Sequence, residues 1–180
     1  MFERKSKQTT LKIALDISAS DTGVAVIGIG NELNLYFHDE TDKDGDYMRL
    51  ITSAERIMAK LDERFGGGGY DNIMVFPEQV FMGRNAHGMI TPLMMHGVLL
   101  IMMTMWAKGI SKYFYWNEVG VNTWRSWLLK KYNVKAASRK SKDQKIATMQ
   151  ALKKCGLDIT NNNEADAVSL ALWTIDHAGP

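Results

Sequence analysis

Two periods organise the apolar positions of this chain. Residues 11–17 (LKIALDI) form an apolar run closed by one acid, the pattern of a buried strand. Residues 23–29 (GVAVIGI) and 33–38 (LNLYFH) follow across short turns, Asn31-Glu32 among them, and the three together predict an antiparallel meander. The period then changes. Leu50, Ile51, Ala54, Ile57, Met58 and Leu61 recur at helical spacing inside 45–65. Gly66, Gly67, Gly68 and Gly69 end that helix. The run lacks the Lys-Ser/Thr of a phosphate loop and precedes a strand rather than a helix, so it reads as a flexible linker. Residues 72–76 (NIMVF) predict another buried strand, with Glu78 just beyond it. A long apolar helix is expected over 88–108, a strand over 113–118, and helices over 123–132, 141–155 and 164–177. The order β-β-β-α-β-α-β-α-α-α predicts an α/β protein with a mixed sheet and helices on both faces.

At 180 residues, with 46% hydrophobic and 23% charged positions, the chain is long enough to bury a core without disulfides. One domain over 1–180 is expected, with no internal repeat. The single cysteine, Cys155, and an N-terminus without an apolar segment fit a reducing, cytoplasmic compartment. Residues 89–107 are long enough to be mistaken for a membrane span. A buried helix is preferred, because the remainder is polar and globular, and no membrane partner is expected.

Charge sharpens the picture. From Arg125 to Lys154 ten Lys and Arg stand against one acid, Asp143, although the whole chain nets only +2. Surface helices usually interleave the two signs. A one-sided block on an otherwise acidic chain points to a polyanion partner. Arg125, Lys130, Lys131, Lys135, Arg139, Lys140, Lys142 and Lys145 are the candidate nucleic-acid contacts. Residues 133–140 form an expected mobile basic loop, and residues 1–10 a short basic tail.

The acids carry the chemistry. Asp16 closes the first strand, Glu78 follows the fourth, and Asp166 lies in the first turn of the last predicted helix with Glu164 two residues before it. In a mixed sheet the first and fourth strands can be neighbours, so their ends can meet. Clustered carboxylates repel and hold protons unless a cation neutralises them. Oxygen ligands favour Mg²⁺ or Mn²⁺, and two such ions roughly 3.5–4 Å apart can activate a water and hold a leaving oxygen in phosphodiester hydrolysis. His38, His87, His96 and His177 have no zinc spacing.

The segment from Asp16 to Val26 (DISASDTGVAV) resembles the first motif of RuvC-type Holliday-junction resolvases. Glu78-Gln79-Val80-Phe81, followed by Asn85, resembles the second. His96-Gly97-Val98 is similar to the family's Arg-Gly-Val, with His in place of Arg. Ser141-Lys142-Asp143-Gln144 resembles its Lys-x-Gln helix start. Asn163-Glu164-Ala165-Asp166-Ala167 resembles its terminal Asp-x-Ala-Asp-Ala. The motifs arrive in family order from Leu11 to Trp173.

The resemblance implies a ribonuclease-H-like fold: a five-stranded sheet, three antiparallel strands and then parallel ones. It implies a homodimer that nicks four-way DNA junctions symmetrically, by in-line attack of a metal-activated water. Asp16, Glu78 and Asp166 would be metal-binding carboxylates, with two Mg²⁺ or Mn²⁺ ions per site. Phe81 would stack on an exposed base, Arg84 and Asn85 would contact DNA, and Lys142 would stabilise phosphate charge or orient the water. The family's fourth acid falls at Asn163 here, and Glu164 is the alternative fourth ligand. A bacterial or phage-infected cell would be the setting. The methionine-rich predicted helix 88–108, with Met94, Met95, Met102, Met103 and Met105, is either core or the two-fold interface. A broader flap or RNA–DNA hybrid nuclease and a non-catalytic junction-binding protein remain open alternatives. A sugar-kinase-like or actin-like ATPase is disfavoured by length, so no nucleotide cofactor is expected.

Overall fold

The computed structural model describes residues 9–18, 20–41, 47–80 and 87–178. Its strands are β1 (Thr10–Ile17), β2 (Asp21–Ile27), β3 (Leu33–Glu40), β4 (Tyr70–Pro77) and β5 (Ser111–Trp116). Its helices are α1 (Met48–Phe65), α2 (His87–Ile110), α3 (Val121–Lys131), α4 (Ser141–Lys154) and α5 (Asn162–His177). The sheet order is β3-β2-β1-β4-β5. β1 pairs antiparallel with β2, and β2 with β3, while β1–β4 and β4–β5 are parallel. The expected mixed sheet is therefore observed, with β1 at its centre.

Strand alternation divides the core into two layers. Leu11, Ile13, Leu15 and Ile17 of β1 pack with Leu50, Ile57 and Leu61 of α1 and with Met95, Leu99 and Met103 of α2. Ala14 of β1 faces the other side, where Ala25, Phe76, Trp124, Leu128, Leu152 and Val168 gather under α3, α4 and α5. Lys12 shares that second face. Its buried Nζ donates to Thr174 O at 3.1 Å and Ala178 O at 2.7 Å, at the C-terminal end of α5. Asp16, four residues further along β1, points to the same side. Helix α5 thus runs antiparallel to β1, and its first turns lie over the strand's acidic end.

Small residues permit this close approach. A Cβ built on Gly23 would stand 2.0 Å from Asn163 O and 2.4 Å from its carbonyl carbon, so the start of α5 rests directly on β2. The helix is capped by Asn161, whose side-chain oxygen accepts from Asn163 N at 2.8 Å and Glu164 N at 2.9 Å. Because the helix begins at Asn162, Asp166 occupies its second turn, a correction to the first-turn position expected from the sequence.

Helix α2 departs from the buried helix expected over 88–108. Met95, Leu99, Met103 and Ala107, spaced by four, bury one face. Ile90, Leu93, Ile101 and Met105 are exposed, Met105 by 70%. Ile90–Ile110 is apolar all round and long enough to cross a membrane by length and composition. The sheet has room for only one side of it.

Candidate active site

The parallel pairing of β1 with β4 brings two acids together. Leu15 lies opposite Pro77, and Glu78 N donates to Leu15 O at 2.8 Å. Glu78 therefore begins beside Asp16, where β4 gives way to an isolated parallel bridge with Val119. Helix α5 supplies Asp166 from above. All three acids line one cavity of about 940 Å³ at this end of the sheet.

Three helices complete its walls. Asn122, Arg125 and Ser126 come from α3, and Ser141, Gln144 and Lys145 from α4; each set is spaced i, i+3, i+4 and shares a helix face. Arg139 enters from the loop between them, and Asn163 from α5. Asn163 Nδ2 donates to Asp21 O at 3.2 Å, which leaves the carboxamide oxygen as the atom available to a ligand.

The three acids act on one another through their charges. Burial pushes the Asp16 carboxyl well above its usual range, and the charges of Glu78 and Asp166 push it further. Glu78 is raised to about 7 by burial and then by the Asp166 charge, with partial relief from Arg125 and Lys145. Asp166 is raised by burial against the opposing pull of Arg125 and Lys145. Asp166 Oδ2 accepts from Arg125 Nη2 at 3.0 Å. Among the described residues Glu78 Oε2 and Asp166 Oδ1 are buried without a hydrogen-bond partner.

These orphaned oxygens test whether a divalent cation fits. The donors are all oxygen, three are carboxylates that repel, and two carry unfilled acceptor positions in a low-dielectric setting. That chemistry suits a hard cation such as Mg²⁺ or Mn²⁺. No three Asp, Glu, His or Cys side chains among the described residues already stand in a closed ligand set. Arg125 occupies part of the space against Asp166 instead.

The remaining sequence candidates distribute unevenly. Glu164 does not line the cavity; its carboxylate lies 3.8 Å from His38 Nδ1, towards β3. Of the two candidate fourth ligands, Asn163 is the one at the cavity. Lys142 is exposed and outside the cavity, whereas Lys145, one turn on, lines it. Lys130 and Lys140 are exposed. Lys131 pairs with Asp176 at 2.8 Å and lies over the Trp127 ring. Lys135 lines a smaller basic hollow with Lys153 and Lys154. In the 133–140 loop, Gln144 Nε2 donates to Ser138 O at 2.9 Å, and Lys154 Nζ donates to Tyr132 O and Asn133 O. Phe81, Arg84 and Asn85 lie outside the described residues. Sequence reading missed Asn122, Ser126, Ser141 and Gln144, whose i, i+3, i+4 spacing with Arg125 and Lys145 was the available sign.

No protein-family model matches the sequence, and no curated protein matches it significantly. Solved structures do match. Thermus thermophilus RuvC in complex with a Holliday junction substrate superposes with TM-score 0.64 at 16% identity, over 94% of each chain. The fold is the ribonuclease-H-like one of RuvC-type resolvases. A second structure of Thermus thermophilus RuvC gives TM-score 0.59 at 16% identity, over 93% of this chain and 95% of that one. The yeast mitochondrial Holliday junction resolvase Ydc2 gives 0.53 at 10% identity, over 94% and 79%. The RuvC-type arrangement thus extends over nearly the whole chain, although few residues are shared.

Proposed function

We propose that this chain is a metal-dependent endonuclease that resolves four-way DNA junctions by paired nicks, acting as a homodimer in the cytoplasm. The observation that carries the reading is the convergence of Asp16, Glu78 and Asp166, from three separate elements, on one cavity walled by Arg125, Arg139 and Lys145. Support comes from the fold, which is shared with a RuvC solved on a Holliday junction substrate.

Asp16, Glu78, Asp166 and the Asn163 carboxamide would hold the divalent cations. Bound there, such ions supply Lewis-acid stabilisation of the phosphodiester and acidify an attacking water. The chain's own residues do the rest. The carboxylates repel anions, so the phosphodiester must be drawn in by the cations that line the same cavity. Lys145 and Arg125 meet its non-bridging oxygens and stabilise the charge that builds on them during in-line displacement. Arg139 at the rim, with Lys140 and Lys142 beside the start of α4, engages neighbouring phosphates and fixes the strand's register. Ser141 and Gln144 offer neutral hydrogen bonds where the backbone passes the helix.

The two-fold partner would seat on α2. Ile90, Leu93, Met94, Ile101 and Met105 expose apolar surface along a helix whose other face is already buried. A second copy placed there would give two sites for the two opposed strands of a junction. Sedimentation analysis of the wild type and of I101E/M105E tests this: a dimer is expected for the first and a folded monomer for the second.

The decisive experiment incubates the protein with a labelled four-way junction, with and without Mg²⁺, and maps the product ends on every strand. Symmetric nicks in two opposed strands, dependent on Mg²⁺, are expected. Asp16→Asn and Glu78→Gln should abolish cutting while junction binding persists. Full cleavage by both variants would refute the site assignment.

A further inference from the structure

The carboxylates of this cavity already have a resident cation. Arg125 Nη2 donates to Asp166 Oδ2 at 3.0 Å, and the two side chains are only 14% and 5% exposed. The guanidinium carbon lies 4.6 Å from the ring of the fully buried Trp124. The pair is incompletely bonded. Arg125 Nε and Asp166 Oδ1 are buried, and neither has a hydrogen-bond partner among the described residues. A buried ion pair offsets its desolvation only with good geometry and further hydrogen bonds. Here one hydrogen bond carries it, so the arrangement is suited to exchange.

We propose that Arg125 is a displaceable counter-ion: it neutralises Asp166 in the DNA-free protein and transfers to a DNA phosphate when a divalent cation takes its place. This rests on the nuclease reading of the site. The argument is one of charge. Three carboxylates share the cavity with Arg125 and Lys145, Arg125 in direct contact with Asp166. A divalent cation added beside both side chains leaves the cavity positive, so it must compete with Arg125 for Asp166. A DNA phosphate removes the conflict. It accepts the guanidinium, for which a two-pronged contact with phosphate oxygens is the favoured geometry, and it returns negative charge to the cavity. Cation and DNA therefore load together, each strengthening the other, because binding linkage is reciprocal. The cavity stays poorly loaded with metal until a phosphate arrives.

The test is Mn²⁺ binding, read by calorimetry and by the loss of free-ion electron spin resonance, to the full chain. Wild type, R125Q, R125K and D16N are compared, each alone and with a nuclease-resistant phosphorothioate four-way junction. Without DNA, R125Q is expected to bind Mn²⁺ about tenfold more tightly than wild type, and R125K close to wild type. The junction should raise the wild-type Mn²⁺ affinity and raise that of R125Q much less. Thermal melts give a second measure: Mn²⁺ should raise the melting temperature of R125Q more than that of wild type. Equal or weaker Mn²⁺ binding by R125Q, while D16N loses it, overturns the counter-ion role alone. Unchanged binding in both variants overturns the metal site and the counter-ion with it. An R125Q chain that stays unfolded at saturating Mn²⁺ also overturns the proposal.

Discussion

Gly23 should be the most sensitive neutral position in the protein. It lies opposite Asp16 in the β1–β2 register, and a Cβ there would sit 2.0 Å from Asn163 O and 2.9 Å from Glu164 N. Real Cβ contacts essentially never fall below 3.0 Å, so G23A must push the first turn of α5 away by about 1 Å. The obstruction is backbone, held by the Asn161 cap and by the Asn163–Asp21 hydrogen bond, so no side-chain rotation relieves it. Overpacking of this kind costs about 1–3 kcal/mol, a fall in melting temperature of roughly 2–12 °C for a chain this size. The larger effect is on chemistry. Asn163 rides on that turn and Asp166 on the next, while Asp16 and Glu78 stay fixed in the sheet, and a 1 Å misplacement of a reacting constellation costs on the order of 10²-fold in rate. Single-turnover cleavage of a labelled junction should therefore fall about 100-fold, with junction affinity within a few-fold of wild type. A G23A protein that melts and cleaves like the wild type would show that the close approach of α5 to β2 does not position the site.

Three further expectations follow from the same geometry. Lys145→Ala should lower single-turnover cleavage by about 10²–10³-fold, as removal of an oxyanion donor does, while Lys142→Ala changes it only a few-fold; the reverse ranking would place the phosphate-stabilising lysine at the start of α4. Lys12→Met removes two donors from carbonyls at the end of α5 and should cost about 1–3 kcal/mol in urea unfolding, and no loss of stability would mean that water or neighbouring groups satisfy those carbonyls. In metal-free buffer, the raised carboxyl pKa values of the site mean that these groups bind more protons in the folded state than in the unfolded one, so their contribution to stability is full below the ordinary carboxylate range and is lost as pH rises through about 7 for Glu78. Melting curves between pH 5 and 8 in chelator should show that decline, and saturating Mg²⁺ should reverse it.

Much of this was legible in the residues themselves. Strand and helix order followed from the change of apolar period after residue 40, and the chain-distant acids were visible because Asp16 and Glu78 close apolar strands and Asp166 lies near the start of the last helix. The parallel β1–β4 pairing then turns that local rule into a site, since strands that run side by side end side by side. Other features lay beyond any one-dimensional reading. Lys142 sits in the motif that resembles the family's, yet α4 begins at Ser141 and turns Lys142 outward, while Lys145 falls on the face of Ser141 and Gln144. Glu164 is next to Asn163 in sequence, but that one residue of helix rotation carries it to His38.

What the sequence determined by itself is what adjacency and period encode: which segments are strands, which are helices, and where acidic and basic side chains stand along them. The tertiary structure alone decided which face each side chain presents to the cavity. It also decided that α2 buries the stripe of Met95, Leu99, Met103 and Ala107 and leaves Ile101 and Met105 exposed, and that Arg125 pairs with Asp166, 41 positions away. The physical reason is that a helix's rotation about its axis is fixed by packing against the sheet. A shift of a fraction of a turn exchanges one lysine for another without altering a single local preference.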